Sequence, residues 1–278
     1  MHWLAAVVAY IPSPPSDRFH VGPVRVTYYG LFVAAGLALG FWVTMRRWRA
    51  RGGDPALGER AAIWACVAGF VGARVAYVST HLGEFSGDWL GVFAIWRGGI
   101  AIYGGITAGA LCAVLVLRRS GGDVWAFGDS AAVGLPLAQA VGRLGNWFNQ
   151  ELFGTPSALP WALQIAPEHR PAAFAQSATF HPTFLYELIW SLAVAGILVL
   201  VDRRRRLVEG NLFVAYVALY GTGRFLLELI RTDTTWRLLG VSRNGWVAAA
   251  SVVGAVAVGV IRQRRNRSVD EAVYRRSL

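Results

Sequence analysis

The sequence predicts an all-α, polytopic membrane protein that forms a single domain over residues 1–278. Hydrophobic residues make up 55% of the chain and charged residues only 15%, whereas a soluble domain carries about 25% charged residues. Mainly apolar segments, each long enough to cross a bilayer, recur seven times along the chain. The seven predicted transmembrane helices lie near residues 26–45, 61–80, 100–117, 124–143, 183–201, 211–230 and 245–261.

The arginines predict how these helices are oriented. All 27 basic residues are arginine, and the net charge is +11. Seventeen arginines follow the first, third, fifth and seventh predicted spans, and seven lie on the opposite side. The positive-inside rule therefore places the N-terminus outside and the C-terminus in the cytoplasm. Because the arginines cluster between apolar runs, the basic charge indicates topology and anionic lipid contacts, with no nucleic-acid partner.

Three segments that extend beyond the predicted spans complete the domain. Residues 1–25 form an N-terminal arm that precedes the first span. Residues 147–180 contain four prolines together with apolar side chains such as Trp161, which predicts a small extracytoplasmic head. Residues 262–278 form a basic cytoplasmic tail.

A polar segment at the end of the fourth span is the strongest functional signal. In this signature segment (residues 142–154), an arginine, two asparagines, a glutamine and a glutamate follow a mostly apolar run. Placing polar groups beside hydrocarbon costs free energy, so polar groups found there usually take part in binding or reaction. The alternative is a helix end whose long side chains reach the headgroups. The predicted orientation places this segment at the outer face.

The sixth span contains a second polar set. Tyr220, Arg224 and Glu228 are four residues apart and therefore share one helix face. They either form an internally neutralised pair that holds helices together or face a ligand. If Arg143 and Arg224 converge, they predict an anion site, because a guanidinium binds phosphate through two parallel hydrogen bonds. In a membrane, that phosphate is a phospholipid headgroup.

Other polar residues permit structural interpretations. Two glycine pairs flank Tyr103 at the start of the third span, which favours close helix packing. Arg74, in the second span, either is structural or reaches a glutamate or a headgroup phosphate. His181 precedes a proline, where a cap or hydrogen-bond partner is more common than a base. The sequence contains no P-loop and no metal-ligand spacing, so we predict neither a metal nor a cofactor.

The signature segment resembles that of bacterial prolipoprotein diacylglyceryl transferases, with Trp147 at its aromatic position. Two later segments resemble further elements of that family in the same order, namely residues 181–187 and residues 220–228. The resemblance covers nearly the whole chain. It implies a seven-span bundle with a periplasmic head, located in the bacterial cytoplasmic membrane with its active site toward the extracytoplasmic side.

The resemblance also implies an activity. These enzymes transfer a diacylglyceryl group from phosphatidylglycerol to the lipobox cysteine of a prolipoprotein signal peptide, leaving a thioether and glycerol phosphate. The thiolate attacks a glyceryl carbon, and preorganised arginines stabilise the departing phosphate. An anion- or lipid-binding transporter-like protein is the alternative, although it predicts broken helices paired between two halves of the chain.

Residue roles follow from the resemblance. Arg143 binds the phosphate of phosphatidylglycerol, and Arg224 assists or guides the leaving group. The remaining site residues shape the headgroup pocket or orient the lipid and the arginines: Asn146, Glu151, Gly154, Tyr29, Tyr220, Glu228 and His181.

Tyr103 stands where many family members have a histidine that is proposed to activate the thiol. A tyrosine of pKa about 10 is a poor acceptor for the proton of a thiol of pKa about 8.5. Three sources of the thiolate stay open. An arginine shifts the pKa of Tyr103, or Glu151 or a water accepts the proton, or the few per cent of thiolate present at neutral pH suffices.

Overall fold

The structure is a computed structural model. It describes residues 10–94, 98–204, 207–232 and 236–276, with the backbone alone from residue 267 onwards. The chain is 68% helical. Each predicted apolar segment is an α-helix, so the predicted positions of the helices are confirmed. The helices are α1 (Tyr28–Ala50), α2 (Pro55–Thr80), α3 (Ile102–Arg119), α4 (Val124–Phe148), α5 (Thr183–Arg203), α6 (Asn211–Glu228) and α7 (Arg243–Arg276).

Five of these helices are long and apolar enough to cross a membrane, namely α1, α2, α3, α5 and α7 within the described part of the chain. Helices α4 and α6 are not among these five; α4 carries Asp129 and Arg143, and α6 carries Arg224 and Glu228. The two helices that contain the polar groups predicted to be functional are thus the two that are not among these five. The protein is a mostly helical membrane protein.

In the described residues, three short antiparallel hairpins accompany the helices, and none of them was predicted. They pair β1 (Arg18–Val21) with β2 (Val24–Thr27), β3 (Leu163–Gln164) with β4 (Thr179–Phe180), and β5 (Arg237–Leu238) with β6 (Val241–Ser242). Strands of two to four residues are too short for an alternating pattern to be recognised in the sequence.

The chain divides into two compact units. The second unit, Thr44–Ser130, is built around α2 and α3. A side chain at Gly72 would lie 2.8 Å from the carbonyl oxygen of Gly104, and one at Gly104 would lie 2.6 Å from that of Gly72. These glycines therefore allow the two backbones to touch, as the glycine pairs beside Tyr103 predicted.

Arg74 has a structural role in the second unit. Its guanidinium donates hydrogen bonds of 2.7–2.8 Å to four backbone carbonyls, those of Gly91, Val92, Gly98 and Gly99. The side chain thereby holds two short stretches of backbone before α3, residues 91–92 and 98–99. Of the alternatives for Arg74, the structural one is confirmed.

The first unit comprises the described residues of Met1–Val43 and Ala131–Leu278. Its residues 149–182 form a structured segment around a small core of Phe153, Leu163, Ile165, Phe180 and Phe184. The described part of the N-terminal arm joins this core, because the backbone N–H of Ile11 donates to the carbonyl of Ala162 at 2.8 Å. The apolar start of the arm, residues 1–9, lies outside the described residues.

Candidate functional site

Five charged side chains meet where α4, α5 and α6 end or begin, all in the first unit. We call them the arginine–glutamate cluster: Arg143, Glu187, Arg224, Glu228 and Arg231. Arg143 lies in the last two turns of α4, and Glu187 lies in the first turns of α5. Arg224 and Glu228 occupy the end of α6, and Arg231 follows directly after it. Helix ends thus bring the five residues together.

Glu187 is the centre of the cluster, because three guanidiniums contact its carboxylate. Arg143 pairs with Oε2 in a short contact. On the other oxygen, Oε1, Arg231 Nη1 lies at 3.2 Å and Arg224 Nη1 at 3.5 Å. One carboxylate therefore holds both predicted phosphate-binding arginines side by side.

Glu228 provides the second carboxylate. Its Oε2 lies 2.6 Å from Arg224 Nη2 and 3.9 Å from Arg231 Nε. The predicted pairing of Arg224 with Glu228 four residues later is therefore confirmed. With three guanidiniums and two carboxylates, the cluster has one net positive charge and attracts an anion.

The exposed fractions separate the arginines into two classes. The side chain of Arg231 is 4% exposed, and those of Glu187 and Glu228 are 7% and 1% exposed. The side chains of Arg143 and Arg224 are 19% and 17% exposed. Arg143 and Arg224 are therefore the more accessible guanidiniums of the cluster, whereas Arg231 is enclosed within it.

An amide relay joins Arg143 to Glu151. Arg143 Nη1 donates to Asn146 Oδ1 at 3.2 Å, and Asn146 Nδ2 donates to Glu151 Oε1 at 2.8 Å. Asn149 Nδ2 donates to the same oxygen at 3.1 Å. The relay therefore presents an oriented carboxylate one side chain away from Arg143.

Gly154 allows the segment after α4 to pass close to the cluster. Its backbone N–H donates to the carbonyl of His181 at 3.0 Å, and it forms a β-bridge with Arg231. A Cβ atom at Gly154 would lie 2.8 Å from that of His181 and 3.0 Å from the carbonyl oxygen of Ile230. Only glycine fits here without a backbone shift.

We expect Gly154→Ala to destabilise the protein by about 1–3 kcal/mol, as overpacking does, and to disturb the bridge to Arg231. Gly142→Ala is the matched control. A Cβ atom at Gly142 meets nothing within 4 Å, and alanine is favoured over glycine inside a helix by about 0.5–1 kcal/mol. The unfolding midpoints should therefore move in opposite directions. Equal midpoints for the two variants would contradict this assignment.

The other predicted site residues lie around the cluster or apart from it. Tyr29 packs on α4, where a Cβ atom at Gly145 would lie 2.8 Å from its ring. The ring of Tyr220 stacks on that of Tyr216 at 5.9 Å, one turn before Arg224. The ring of His181 contacts the hydroxyl of Tyr186 at 3.2 Å, which agrees with a hydrogen-bond partner.

Tyr103 belongs to the second unit. It lies in the first turn of α3 and is 46% exposed. Its predicted part in the reaction stays a prediction.

The sequence analysis did not assign three residues that the structure brings to the cluster: Glu187, Arg231 and Ser242. Glu187 stands in the resembling segment 181–187, and Arg231 lies three residues after Glu228, beyond the end of α6. An ionisable side chain at the edge of an apolar run was the available signal. Ser242 gave no such signal, because the sequence around a single serine in a loop does not indicate a buried contact.

Comparisons with known proteins identify the family of this chain. Residues 17–261 match the family model described as prolipoprotein diacylglyceryl transferase. A phosphatidylglycerol–prolipoprotein diacylglyceryl transferase of Frankia alni is 49% identical over 262 residues, which cover 93% of this chain and 69% of that protein. The protein of the same name from Cutibacterium acnes is 45% identical, with 94% and 89% covered.

A third relative of that name, from Frankia casuarinae, is 48% identical over 90% of this chain. It is a longer protein, of which this chain spans 61%. The family model covers most of the chain, including every residue of the arginine–glutamate cluster. This chain therefore belongs to the prolipoprotein diacylglyceryl transferase family.

Proposed function

We propose that this protein transfers the diacylglyceryl group of phosphatidylglycerol to the lipobox cysteine of a prolipoprotein. One observation carries the proposal. Arg143 and Arg224, which are the two more exposed guanidiniums of the cluster, are held side by side on the carboxylate of Glu187. Two adjacent guanidiniums in a cluster of net positive charge fit the phosphodiester of a lipid headgroup.

The cluster suits the chemistry of this transfer. The cysteine sulfur forms a bond to a glyceryl carbon, and the bond between that carbon and the phosphate oxygen breaks. The bonding electrons leave with the phosphate, which becomes a monoester and gains negative charge, while the thiol proton passes to an acceptor. Charged donors that are already in place stabilise this developing charge without reorganisation. Arg143 binds the phosphate in this proposal, and Arg224 assists its departure.

The neighbouring residues shape the rest of the pocket. Asn146 and Glu151 extend from Arg143 through the amide relay, and Gly154 lets the chain close beside Arg231. Tyr29, Tyr220 and His181 line the approach of the lipid, and Glu228 orients Arg224. The thiol comes with the substrate, so the enzyme supplies no nucleophile of its own.

The membrane placement is part of the proposal. All seven helices span the bacterial cytoplasmic membrane, with α4 and α6 accommodated because their polar groups face the protein. The arginine-rich connections and the tail lie in the cytoplasm. The cluster and the head, residues 147–180, then lie toward the extracytoplasmic side, where signal peptides of prolipoproteins emerge.

A direct test combines the purified protein, phosphatidylglycerol vesicles and a synthetic lipobox peptide, with mass spectrometry as the readout. We expect the peptide to gain one diacylglyceryl group and glycerol phosphate to appear in equal amount. A peptide with serine in place of its cysteine is the control and should stay unmodified. Binding of phosphatidylglycerol without any gain of peptide mass would instead favour the transporter-like alternative.

The pH dependence tests the source of the thiolate. We propose that no tyrosine base is needed, because positive guanidiniums favour the thiolate and a few per cent of it exists at neutral pH. We expect kcat/KM to rise about tenfold per pH unit below the pKa of the thiol, and Tyr103→Phe to keep this slope. A flat profile in Tyr103→Phe alone would assign the proton transfer to Tyr103. Loss of the slope in Glu151→Gln would assign it to Glu151.

A further inference from the structure

The hydroxyl of Ser242 contacts the arginine–glutamate cluster from the start of α7. Its Oγ donates to Glu228 Oε1 at 2.7 Å and accepts from the backbone N–H of Gly245 at 3.0 Å. Ser242 and Glu228 are each 1% exposed, so this bond is shielded from water. Because a hydroxyl has a single proton, the donation from Gly245 leaves that proton directed at Glu228.

Glu228 transmits this constraint to Arg224. One carboxylate oxygen receives the proton of Ser242, and the other lies 2.6 Å from Arg224 Nη2. Glu228 therefore has one oxygen fixed by a hydrogen bond and the other in an ion pair with Arg224. The second contact of Arg224, with Glu187, is longer at 3.5 Å. Glu228 is therefore the nearer of the two carboxylates that orient this guanidinium.

The backbone around Ser242 places the hydroxyl precisely enough for this role. Ser242 ends β6 and immediately precedes α7, so its bond to Gly245 is that of a helix N-cap. On the other strand of the hairpin, Arg237 Nη2 donates to the carbonyl of Arg231 at 2.8 Å. The hairpin thus ties the start of α7 to the chain that carries Arg231.

We propose that Ser242 is a positioning residue for the transfer reaction: it orients Glu228 and, through Glu228, aims Arg224 at the departing phosphate. The inference rests on the proposed function. Since Arg143 retains the ground-state contact with phosphate, the loss of this hydroxyl affects the transition state more than lipid binding. A role confined to capping α7 would instead change stability without a selective effect on kcat.

Two substitutions separate these roles. Ser242→Gly keeps an acceptable N-cap, since glycine costs only a few tenths of a kcal/mol there, but it removes the donor to Glu228. Ser242→Cys keeps the size of the side chain and offers only a weak donor. We expect each variant to lower kcat about tenfold, with KM for phosphatidylglycerol within about twofold. Ser242→Thr, which retains the hydroxyl, should restore kcat.

Ser251→Ala is the matched control. The hydroxyl of Ser251 lies on the same helix and donates to the carbonyl of Val247 at 2.8 Å, so its loss should leave kcat unchanged. A double-mutant cycle adds the decisive readout. In a Glu228→Ala background the hydroxyl has no carboxylate to orient, and Ser242→Gly should then cost less than about twofold in kcat.

Wild-type kcat in both Ser242→Gly and Ser242→Cys would overturn the inference while leaving the proposed function intact. A tenfold loss that persists in the Glu228→Ala background would overturn it as well, because the effect would not pass through Glu228. If the glycine variant does not fold, the cysteine variant and its double mutant decide between the same outcomes. Absence of transfer by the unmodified protein would instead contradict the proposed function, and the inference with it.

Discussion

Arg143→Lys is expected to lower kcat for transfer about 10²- to 10³-fold, the loss typical when one preorganised donor to a developing negative charge is removed. Lysine keeps the positive charge. It lacks the planar fork of donors with which arginine binds two oxygens at once. In Arg143, two of these donors have different partners: Nη2 pairs with Glu187, and Nη1 donates a hydrogen bond to Asn146. A lysine ammonium cannot bridge both and still face a phosphate.

The fold should survive this substitution. Glu187 keeps its contacts with Arg224 and Arg231, so its carboxylate stays paired. We therefore expect a small change in the unfolding midpoint beside a large change in rate. Arg18→Lys is the matched control, because Arg18 forms a similar two-pronged pair with Asp17 on a side chain that is 40% exposed. Near-wild-type transfer by Arg143→Lys would remove Arg143 from phosphate binding.

Local sequence patterns predicted those parts of the site that a single helix determines. Arg224 and Glu228 are four residues apart, and helix geometry alone brings them to 2.6 Å. Arg143 and Asn146 are three residues apart on α4, and they also meet. The convergence of Arg143 with Arg224 was predicted from the shared chemistry of two polar helix ends, and Glu187 joins them in the structure.

The parts that depend on contacts between helices were not predicted. Arg231 was counted among the outer arginines that indicate topology, yet its side chain is 4% exposed and is paired with Glu187. Its position results from the packing of the end of α6 against α5, and such contacts between helices leave no periodic pattern in the sequence.

The boundaries of α2 show a related limit of prediction from sequence. The apolar segment begins near residue 61, whereas the helix begins at Pro55, where Asp54 accepts a hydrogen bond from the N–H of Ala56. The first turns of α2 contain polar residues, so the apolar pattern of the sequence did not reveal where the helix begins.

The number of spans stays a prediction for a physical reason. Length and apolarity identify five helices. The polar side chains that lower the hydropathy of α4 and α6 include Arg143, Arg224 and Glu228, which are three of the five residues of the cluster. A functional site built into a span makes that span harder to recognise. Labelling of single cysteines placed in the connections before and after α4 and α6 measures the topology directly.

Glu187→Gln should have the largest effect on stability, because the carboxylate of Glu187 compensates three buried or half-buried guanidiniums. Removing one partner of a buried ion pair costs about 3–5 kcal/mol, since it leaves charge without compensation. Here it also leaves three arginines to repel one another with Glu228 as the remaining carboxylate of the cluster. We expect a marked fall in the unfolding midpoint in detergent or nanodiscs, and weak transfer.

A compensating substitution tests the electrostatic cause of that loss. Adding Arg231→Met to Glu187→Gln restores the charge of the cluster while Arg143 and Arg224 remain, so the double variant should regain part of the stability of the wild type. Glu59→Gln is the matched control, because it breaks an Arg–Glu pair of 2.7 Å whose side chains are exposed and should cost at most about 1 kcal/mol. If the double variant is less stable than Glu187→Gln by the full cost of Arg231→Met alone, charge repulsion is not the cause. The cluster would then owe its stability to packing, and Glu187 would be a spacer between α4 and α6 instead of their shared counter-ion.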